Sequence, residues 1–374
     1  MRRAAEQGDG NSQVRLGSMF ARGEGVPQDN AEAIRWFHKA ATEGNADAQY
    51  NLGLMYNRGQ GLLQDYAEAA RWFCKAAEQG DAAAQFSLAG MLAAGEGVPL
   101  DREEAARWFA KAAEQGNSDA QYVLGVMYAA GEGVPQDHST ATGLFRKSAT
   151  HGNLEAQRKL GLIYAGGRGV PQDVGESARW FRKAAEQGDA YSQGMIGIMY
   201  ADGKGMPQDH ARAAHWYRKA AENGDATAQN NLGVLYQHGQ GVRKDQAEAI
   251  RWYRKAAEQG DATGQGNLGV IYASGDGVPQ DLAEAAHWYR KAAEQGDAKS
   301  QFNLGLMYAD GKVVPQNYVT AHKWLSLAAS RASGTAQAKY AELPDSVAER
   351  MTAQQIAEAQ RLAREWRPQT VRQR

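Results

Sequence analysis

The 374-residue chain contains one cysteine, Cys74. That excludes an intramolecular disulfide and any zinc cluster built on thiolates. Neither charge sign is in excess, with 42 Lys+Arg against 43 Asp+Glu. Nothing resembles the basic stripe of a nucleic-acid binder, so no nucleic-acid partner is expected. No apolar run reaches membrane-spanning length, so no transmembrane segment is expected. The opening residues Met1, Arg2 and Arg3 lead into no apolar stretch, and no signal peptide is visible. The eight histidines show no metal spacing, and no His-Glu-x-x-His is present.

What the chain does have is a period. Glutamine stands at 13, 49, 85, 121, 157, 193, 229, 265, 301 and 337, at intervals of 36. Four residues after each of the first nine comes a small residue, from Gly17 and Gly53 through Ala89 to Gly305. A fixed period in this range is the signature of a solenoid, with one continuous core and no internal domain boundary. The 43 glycines follow the period and mark turns.

Residues 45–80 illustrate one unit. Asn45 is an N-cap, replaced by Asp at 81, 189, 225, 261 and 297; its side chain accepts from an orphan helix amide. Helix A then runs to about Asn57 or Arg58, with an apolar face of Leu52, Met55 and Tyr56, and Gly59 closes it. A loop reading Gly-x-Gly-Val-Pro-Gln-Asp in most copies leads to helix B. Its Asp is followed three residues later by Glu in pairs such as Asp29/Glu32, Asp65/Glu68 and Asp245/Glu248, which predicts capping boxes. Ala69, Trp72, Phe73 and Ala76 give helix B its core spacing. Gly53 and Ala69 let the two helices approach closely. The Trp column, at 36, 72, 108, 180, 216, 252, 288 and 324 with Leu144 the one substitute, is expected to fill the space between units. It recurs with the period of the packing, which argues against an aromatic ligand box.

The boundaries read as follows. Residues 1–8 are the tail of a preceding unit, since Ala4–Gly8 repeats the motif at 76–80. The chain therefore opens partway through a unit, and the compartment stays open between cytoplasm, periplasm and secretion. Nine units fill 9–332, from 9–44 to 297–332. The fourth, with Asp-His-Ser-Thr-Ala-Thr-Gly-Leu-Phe at 137–145 and no helix-B Trp, is expected to be the weaker one. Residues 333–367 are a degenerate unit and a capping helix: Gln337 keeps register, Ala341 replaces the Gly, and Pro344 is expected to stop the helix. Thr352 and Gln355 form a further capping-box pair, before a helix that sets Ile356, Ala359, Ala363 and Trp366 on one side for docking. The basic tail 368–374 is expected to be disordered.

The motifs Ala-x-Ala-Gln-x-Asn-Leu-Gly-x-Met-Tyr, Gly-x-Gly-Val-Pro-Gln-Asp and Ala-Glu-Ala-Ala-x-Trp-Tyr-Arg-Lys-Ala-Ala-Glu-Gln-Gly resemble the Sel-one-like repeat, a branch of the tetratricopeptide-like helical solenoids. The likeness spans about 9–332 and is fullest at 225–260 and 297–332. It implies an all-α fold, a right-handed α-solenoid of antiparallel helix pairs whose A helices line the concave side. It also implies a non-catalytic adaptor that binds a protein or peptide, with no cofactor and no metal. Some secreted relatives carry a cysteine pair per repeat and bind β-lactams; this chain lacks those cysteines, which argues against a β-lactamase-type enzyme. A regulatory subunit of a membrane complex is a third expectation from the family.

Two motifs are decoys. Gly264, Gly266 and Gly269 satisfy G-x-G-x-x-G, but inside helix A rather than between a strand and a helix. His215 and His287 stand where other units have Arg, in an exposed helix-B column. The informative positions are on helix A opposite the core: Tyr50, Asn51, Leu54, Asn57 and Arg58 lie on that arc at ~100° per residue. The column of Asn51 varies and includes Lys159, Asn231, Asn267 and Asn303. The column of Leu54 stays mostly aliphatic, with Leu162, Val234, Val270 and Leu306. An aliphatic stripe flanked by amides is the expectation for a peptide groove, the amides clamping backbone. The competing expectation is that the stripe packs on neighbouring helices.

Overall fold

The computed structural model describes residues 1–332 and 335–369, and of 335–339 the backbone alone. Every regular element among them is a helix. The chain divides into two compact units, Met1–Ala184 and Ala185–Arg374. Within each, the pattern is the same: an A helix of 13 residues, a loop, and a B helix of 13 or 14, as in Ala46–Arg58 with Tyr66–Glu78, or Ala226–His238 with Gln246–Glu258. Each unit is an α-solenoid of antiparallel helix pairs.

The helix ends follow the sequence closely. Asn45 Oδ1 accepts from Ala48 N at 2.9 Å, and Asp225 does the same for Ala228. Gly59 ends its helix at φ 64°, where a side chain would be strained. Asp65 caps helix B through Glu68 N. The predicted capping boxes, however, do not close at the B helices. The cap amide is already committed, because Asp65 N donates to Tyr56 O at 3.1 Å, bridging the loop back to helix A. The glutamate turns outward instead: Glu68 pairs with Arg71 at 2.7 Å, while Glu248 takes the Trp252 indole N–H at 3.1 Å. A complete box forms only at Thr352 and Gln355, among the helices whose caps are described.

Packing within a pair depends on the small column. A methyl group at Gly53 would lie 2.7 Å from the Phe73 ring, and one at Gly233 2.8 Å from Tyr253. Helix B can therefore lay an aromatic ring flat on helix A. Packing between pairs depends on tryptophan. Trp72 joins the core of the preceding unit with Phe37, Leu52 and Met55, and Trp288 joins that of Tyr253 and Leu268. Each of these large side chains contributes about 1.5–3 kcal/mol by leaving water. A lysine three residues on covers the outer ring face, as Lys75 does over Trp72 at 4.2 Å.

The glutamine column ties consecutive units together. Gln49 is buried; its Nε2 donates to Ala41 O of the preceding helix B at 3.1 Å, and its Oε1 accepts from Gln79 Nε2 at 2.7 Å. The same donation recurs at Gln13, Gln85, Gln121, Gln157, Gln193, Gln229, Gln265 and Gln301. It gives a second donor to a carbonyl of the last helical turn that already accepts the amide of the glycine three residues on, as Ala41 O does from Gly44 N at 3.1 Å. The accepting half is less uniform. Gln85, Gln229 and Gln265 accept from a glutamine 30 residues later, and Gln193 accepts from Asn223. The oxygens of Gln13, Gln121 and Gln301 have no partner. In those units the residue 30 later is Glu43, His151 or Arg331. A carboxylate has no proton to give; the His151 ring already faces Lys147 O at 2.9 Å; Arg331 stacks on Trp366 at 4.4 Å.

The unit lacking Trp is nonetheless a capped pair. Helix His138–Thr150 forms under Asp137, Leu144 packs partly buried against the neighbouring core, and Ser148 Oγ donates to Ser118 O at 2.7 Å. At the C-terminus one expectation fails. Pro344 lies inside the helix Thr335–Ala348 and does not stop it. Leu343 and Val347 pack on the core with Leu325, and that burial holds the segment helical through the missing N–H. Helix Ala353–Glu365 buries Ala359, and Ala363 and Trp366 pack against the Trp324 core. Gln369 N reaches Glu294 O at 2.8 Å; residues 370–374 of the basic tail lie outside the described residues.

The orphaned glutamine oxygens yield a prediction. Glu43→Gln and His151→Gln each supply the missing donor and should raise stability by about 1 kcal/mol, whereas Gln85→Leu should lower it by about 1–3 kcal/mol through the loss of two hydrogen bonds, to Ala77 O and from Gln115 Nε2. Denaturant melts of the three variants check the signs; a destabilised Glu43→Gln chain would show that the buried oxygen needs no donor.

Candidate functional site

The A helices carry the candidate surface. Consecutive A helices approach one another in the second unit, as Ala190–Asp202 with Ala226–His238 and Ala262–Ser274 with Ala298–Asp310. Their outward arc therefore forms one face within that unit. The aliphatic column of the A helices is exposed in part, Val126 by 38% and Leu162 by 43% in the first unit and Leu306 by 37% in the second. Other members are half-buried. Leu54 leans on the Phe73 core, Val234 on that of Tyr253 and Val270 on that of Tyr289. The column thus divides into members exposed to solvent and members that pack on helix B.

The remaining predicted residues separate by geometry. Asn51, Leu54 and Arg58 come together around a depression of about 250 Å³ that also takes in Ser18, Ala21 and Arg22 from the preceding A helix. Asn231 lines a second depression, about 160 Å³, with Met195, Ile198 and Asp225. Tyr50 belongs elsewhere: its ring lies 5.7 Å from that of Phe73, and the equivalent Phe86 and Tyr122 contact Phe109 and Phe145 in the same way. Asn57 is half-buried and receives Gln64 Nε2 on its backbone oxygen at 2.8 Å, a loop staple repeated at Gln28, Gln136 and Gln172. Lys159 is exposed beside Leu162.

The asparagine amides are largely engaged within the protein. Asn51 donates to Asp47 O at 2.7 Å, and Asn267 donates to Asn230 Oδ1 at 2.8 Å. Asn231 Oδ1 accepts from Asn230 Nδ2 at 3.4 Å. Burial pushes the Tyr217 and Tyr289 phenols up, Tyr289 to about 12, with the nearby Asn231 and Asn303 amides working against the rise, so both stay protonated and are not bases. Sequence alone did not reveal that Asn267 meets Asn230, because the two lie on different A helices.

The face is bordered by a row of N-cap carboxylates, Asp225, Asp261 and Asp297. Burial holds the Asp261 carboxyl above its ordinary value of 3.8, with repulsion from Asp225 and Asp297 adding to it. These effects outweigh the amide of Gly264, which it accepts at 2.6 Å.

Elsewhere the decoys resolve as packing. Gly264, Gly266 and Gly269 sit within helix Ala262–Ser274, against Ala256, Ser300 and Tyr289. His215 and His287 meet the edges of Trp216 and Trp288. Among the described residues no three His, Cys, Asp or Glu side chains are grouped to hold a metal, and no helix is long and apolar enough to cross a membrane.

Stacked helix pairs of 36 residues, stapled by a buried glutamine, define the molecule as a helical repeat protein of the tetratricopeptide-like class. The chain belongs to the Sel1 repeat family: nine consecutive Sel1 repeats match residues 10–45, 46–81, 82–117, 118–153, 154–189, 190–225, 226–261, 262–297 and 298–333. Its fold is similar to that of c5321, a protective antigen of uropathogenic Escherichia coli displaying an SLR fold, at 30% identity and TM-score 0.68, covering 98% of this chain and 93% of that one. It is also similar to a Sel1 repeat protein from Oxalobacter formigenes, at 31% identity and TM-score 0.53, covering 65% of this chain and 96% of that one. No curated protein matched.

The carboxylate row makes a pH-dependent prediction. A carboxyl whose value is raised on folding destabilises the native state above that value, and the cost disappears as pH falls below 3.8, where both states are protonated. Asp261→Asn keeps the cap, as Asn45 and Asn117 do. It should stabilise the chain at pH 7 and give no advantage in strong acid. Thermal melts across that range test it; a variant less stable at pH 7 would show that the charge helps the helix more than burial harms it.

Proposed function

We propose that the chain is a non-catalytic scaffold that binds a protein or peptide partner along its A-helix face. Membership of the Sel1 repeat family supports the scaffold role. The observation that carries the location is the exposure of Val126, Leu162 and Leu306 in a column that elsewhere packs inward. Burying such side chains against a partner returns the free energy that their exposure forgoes. The bonded amides change the expected mode. Asn231 and Asn267 shape the floor through their bonds with Asn230, and Asn303 stands beside Tyr289, while the aliphatic side chains, Arg58 and Lys159 meet the partner.

Replacing those asparagines would therefore confound binding with stability, and the exposed aliphatics make the cleaner test. A photo-crosslinking amino acid at Leu162 or Leu306 should capture a partner in cells that one at the exposed helix-B residue Arg251 does not. Leu306→Glu should weaken that partner's binding about tenfold, equivalent to ~1.4 kcal/mol, with helicity unchanged. Equal capture from Arg251, or undiminished binding by Leu306→Glu, would refute the A-helix face as the site.

A further inference from the structure

A second apolar cavity lies on the B-helix side of the first unit and owes nothing to the A-helix face. In four places among the described residues an arginine of one helix B donates to the tyrosine hydroxyl 18 residues later, on the next helix A: Arg146 to Tyr164, Arg218 to Tyr236 at 2.6 Å, Arg254 to Tyr272 at 3.0 Å, and Arg290 to Tyr308 at 3.3 Å. The pair fills the seam between units. At the corresponding seam of helices Tyr66–Glu78 and Ala82–Ala94 both partners are replaced, by Cys74 and Leu92. Two large polar side chains give way to two smaller ones, and the seam opens into a cavity of about 620 Å³. That falls within the ordinary range of binding pockets, ~300–1,000 Å³.

The walls are apolar: Ala70, Leu88, Leu92, Val98 and the Trp108 ring, with Cys74 at one side. The rim is acidic. Glu78, Asp101 and Glu104 border it, with Arg71 held by Glu68 at 2.7 Å, Arg107 3.8 Å from Glu104 and Lys111 over the Trp108 ring at 3.8 Å, so that Glu78 and Asp101 are the rim carboxylates without a cation partner among the ion pairs of the described residues. Apolar surface continues beyond the mouth. Tyr66, next to the lining residue Ala67, is 38% exposed, and Leu100, next to the lining residue Pro99, is 53% exposed. Leu100 also stands where other loops carry the stapling glutamine, so at this loop an internal hydrogen bond has been exchanged for an exposed apolar side chain.

We propose that this cavity is a docking site for a protein segment that inserts one large apolar side chain and places a Lys or Arg beside it. The apolar walls take the anchor, in the manner of interface hot spots, and the carboxylate rim selects the neighbouring positive charge. Tyr66 and Leu100 extend the contact over the loop.

The test restores the common seam. Cys74→Arg with Leu92→Tyr rebuilds the Arg–Tyr pair found in those four seams, so the fold is expected to stand, as circular dichroism would verify. A phage-displayed random peptide library is panned on the full chain, with the restored-seam variant as counter-selection, and enriched peptides are measured by fluorescence polarisation. The expected peptides carry a large aliphatic or aromatic residue adjoining Lys or Arg and bind the restored variant at least about tenfold more weakly. Glu78→Lys, at an exposed rim position, should weaken the same peptides about threefold at low salt. The proposal is overturned if no peptide discriminates the two chains, if the discriminating peptides lack the basic neighbour, or if Glu78→Lys leaves their affinity unchanged. Leu306→Glu should leave these peptides unaffected, which separates failure here from failure of the A-helix site.

Discussion

The structure depends on a buried amide side chain that belongs to two repeats at once. A helix pair cannot cover its own apolar face, and the carbonyls that end its second helix turn toward the next pair with room for a second donor. Gln49 enters the seam as a core residue and gives its N–H to Ala41 O, which also accepts from Gly44 N at 3.1 Å. Gln79 then gives its own N–H to Gln49, so the bond network passes from one unit through the next. A hydrogen bond of this kind is worth only about 1 kcal/mol, and the carbonyl keeps its glycine amide without it. The network therefore fixes register more than it adds stability. Apolar packing of Trp72 and Phe73 supplies the bulk of the energy and tolerates sliding; the glutamine does not.

Regularity of that kind makes the departures legible. Within the glutamine column, the oxygens of Gln13, Gln121 and Gln301 lack a donor because Glu43, His151 and Arg331 replace the amide that would supply one. One seam has lost both the Arg and the Tyr of its pair and has a cavity in their place. In a protein without repeats none of these would stand out. Here nearly every position has several equivalents, so each substitution is seen against the contact that the other units make. The same comparison separates structural columns from candidate ones: the Trp column is buried or half-buried in every unit that has it, while Leu162 and Leu306 stand exposed where Leu54 is half-buried.

The A-helix face combines a floor fixed from within and a surface open to solvent. Asn267 donates to Asn230 and Asn230 to Asn231, so these amides preorganise the face. The side chains free to meet a partner are the aliphatic ridge and the cations near it. Preorganisation lowers the entropy cost of association, which suits a binding surface built on rigid helices.

The sequence by itself determined the elements, their caps and the repeat. The 36-residue period, the Asn or Asp before each helix A and the Gly after it are local signals, and each acts within a few residues of chain. It also marked out the variable arc of helix A, because one face of a helix follows from ~100° per residue. What only the tertiary structure decided involves partners distant in sequence. The capping boxes stay open because the Asp65 amide is drawn back to Tyr56; Pro344 stays helical because Leu343 and Val347 are buried; Asn267 is engaged because Asn230 of the preceding repeat accepts its amide. Likewise Cys74 and Leu92, unremarkable 18 residues apart in sequence, define a cavity only when two helices set them across the same seam.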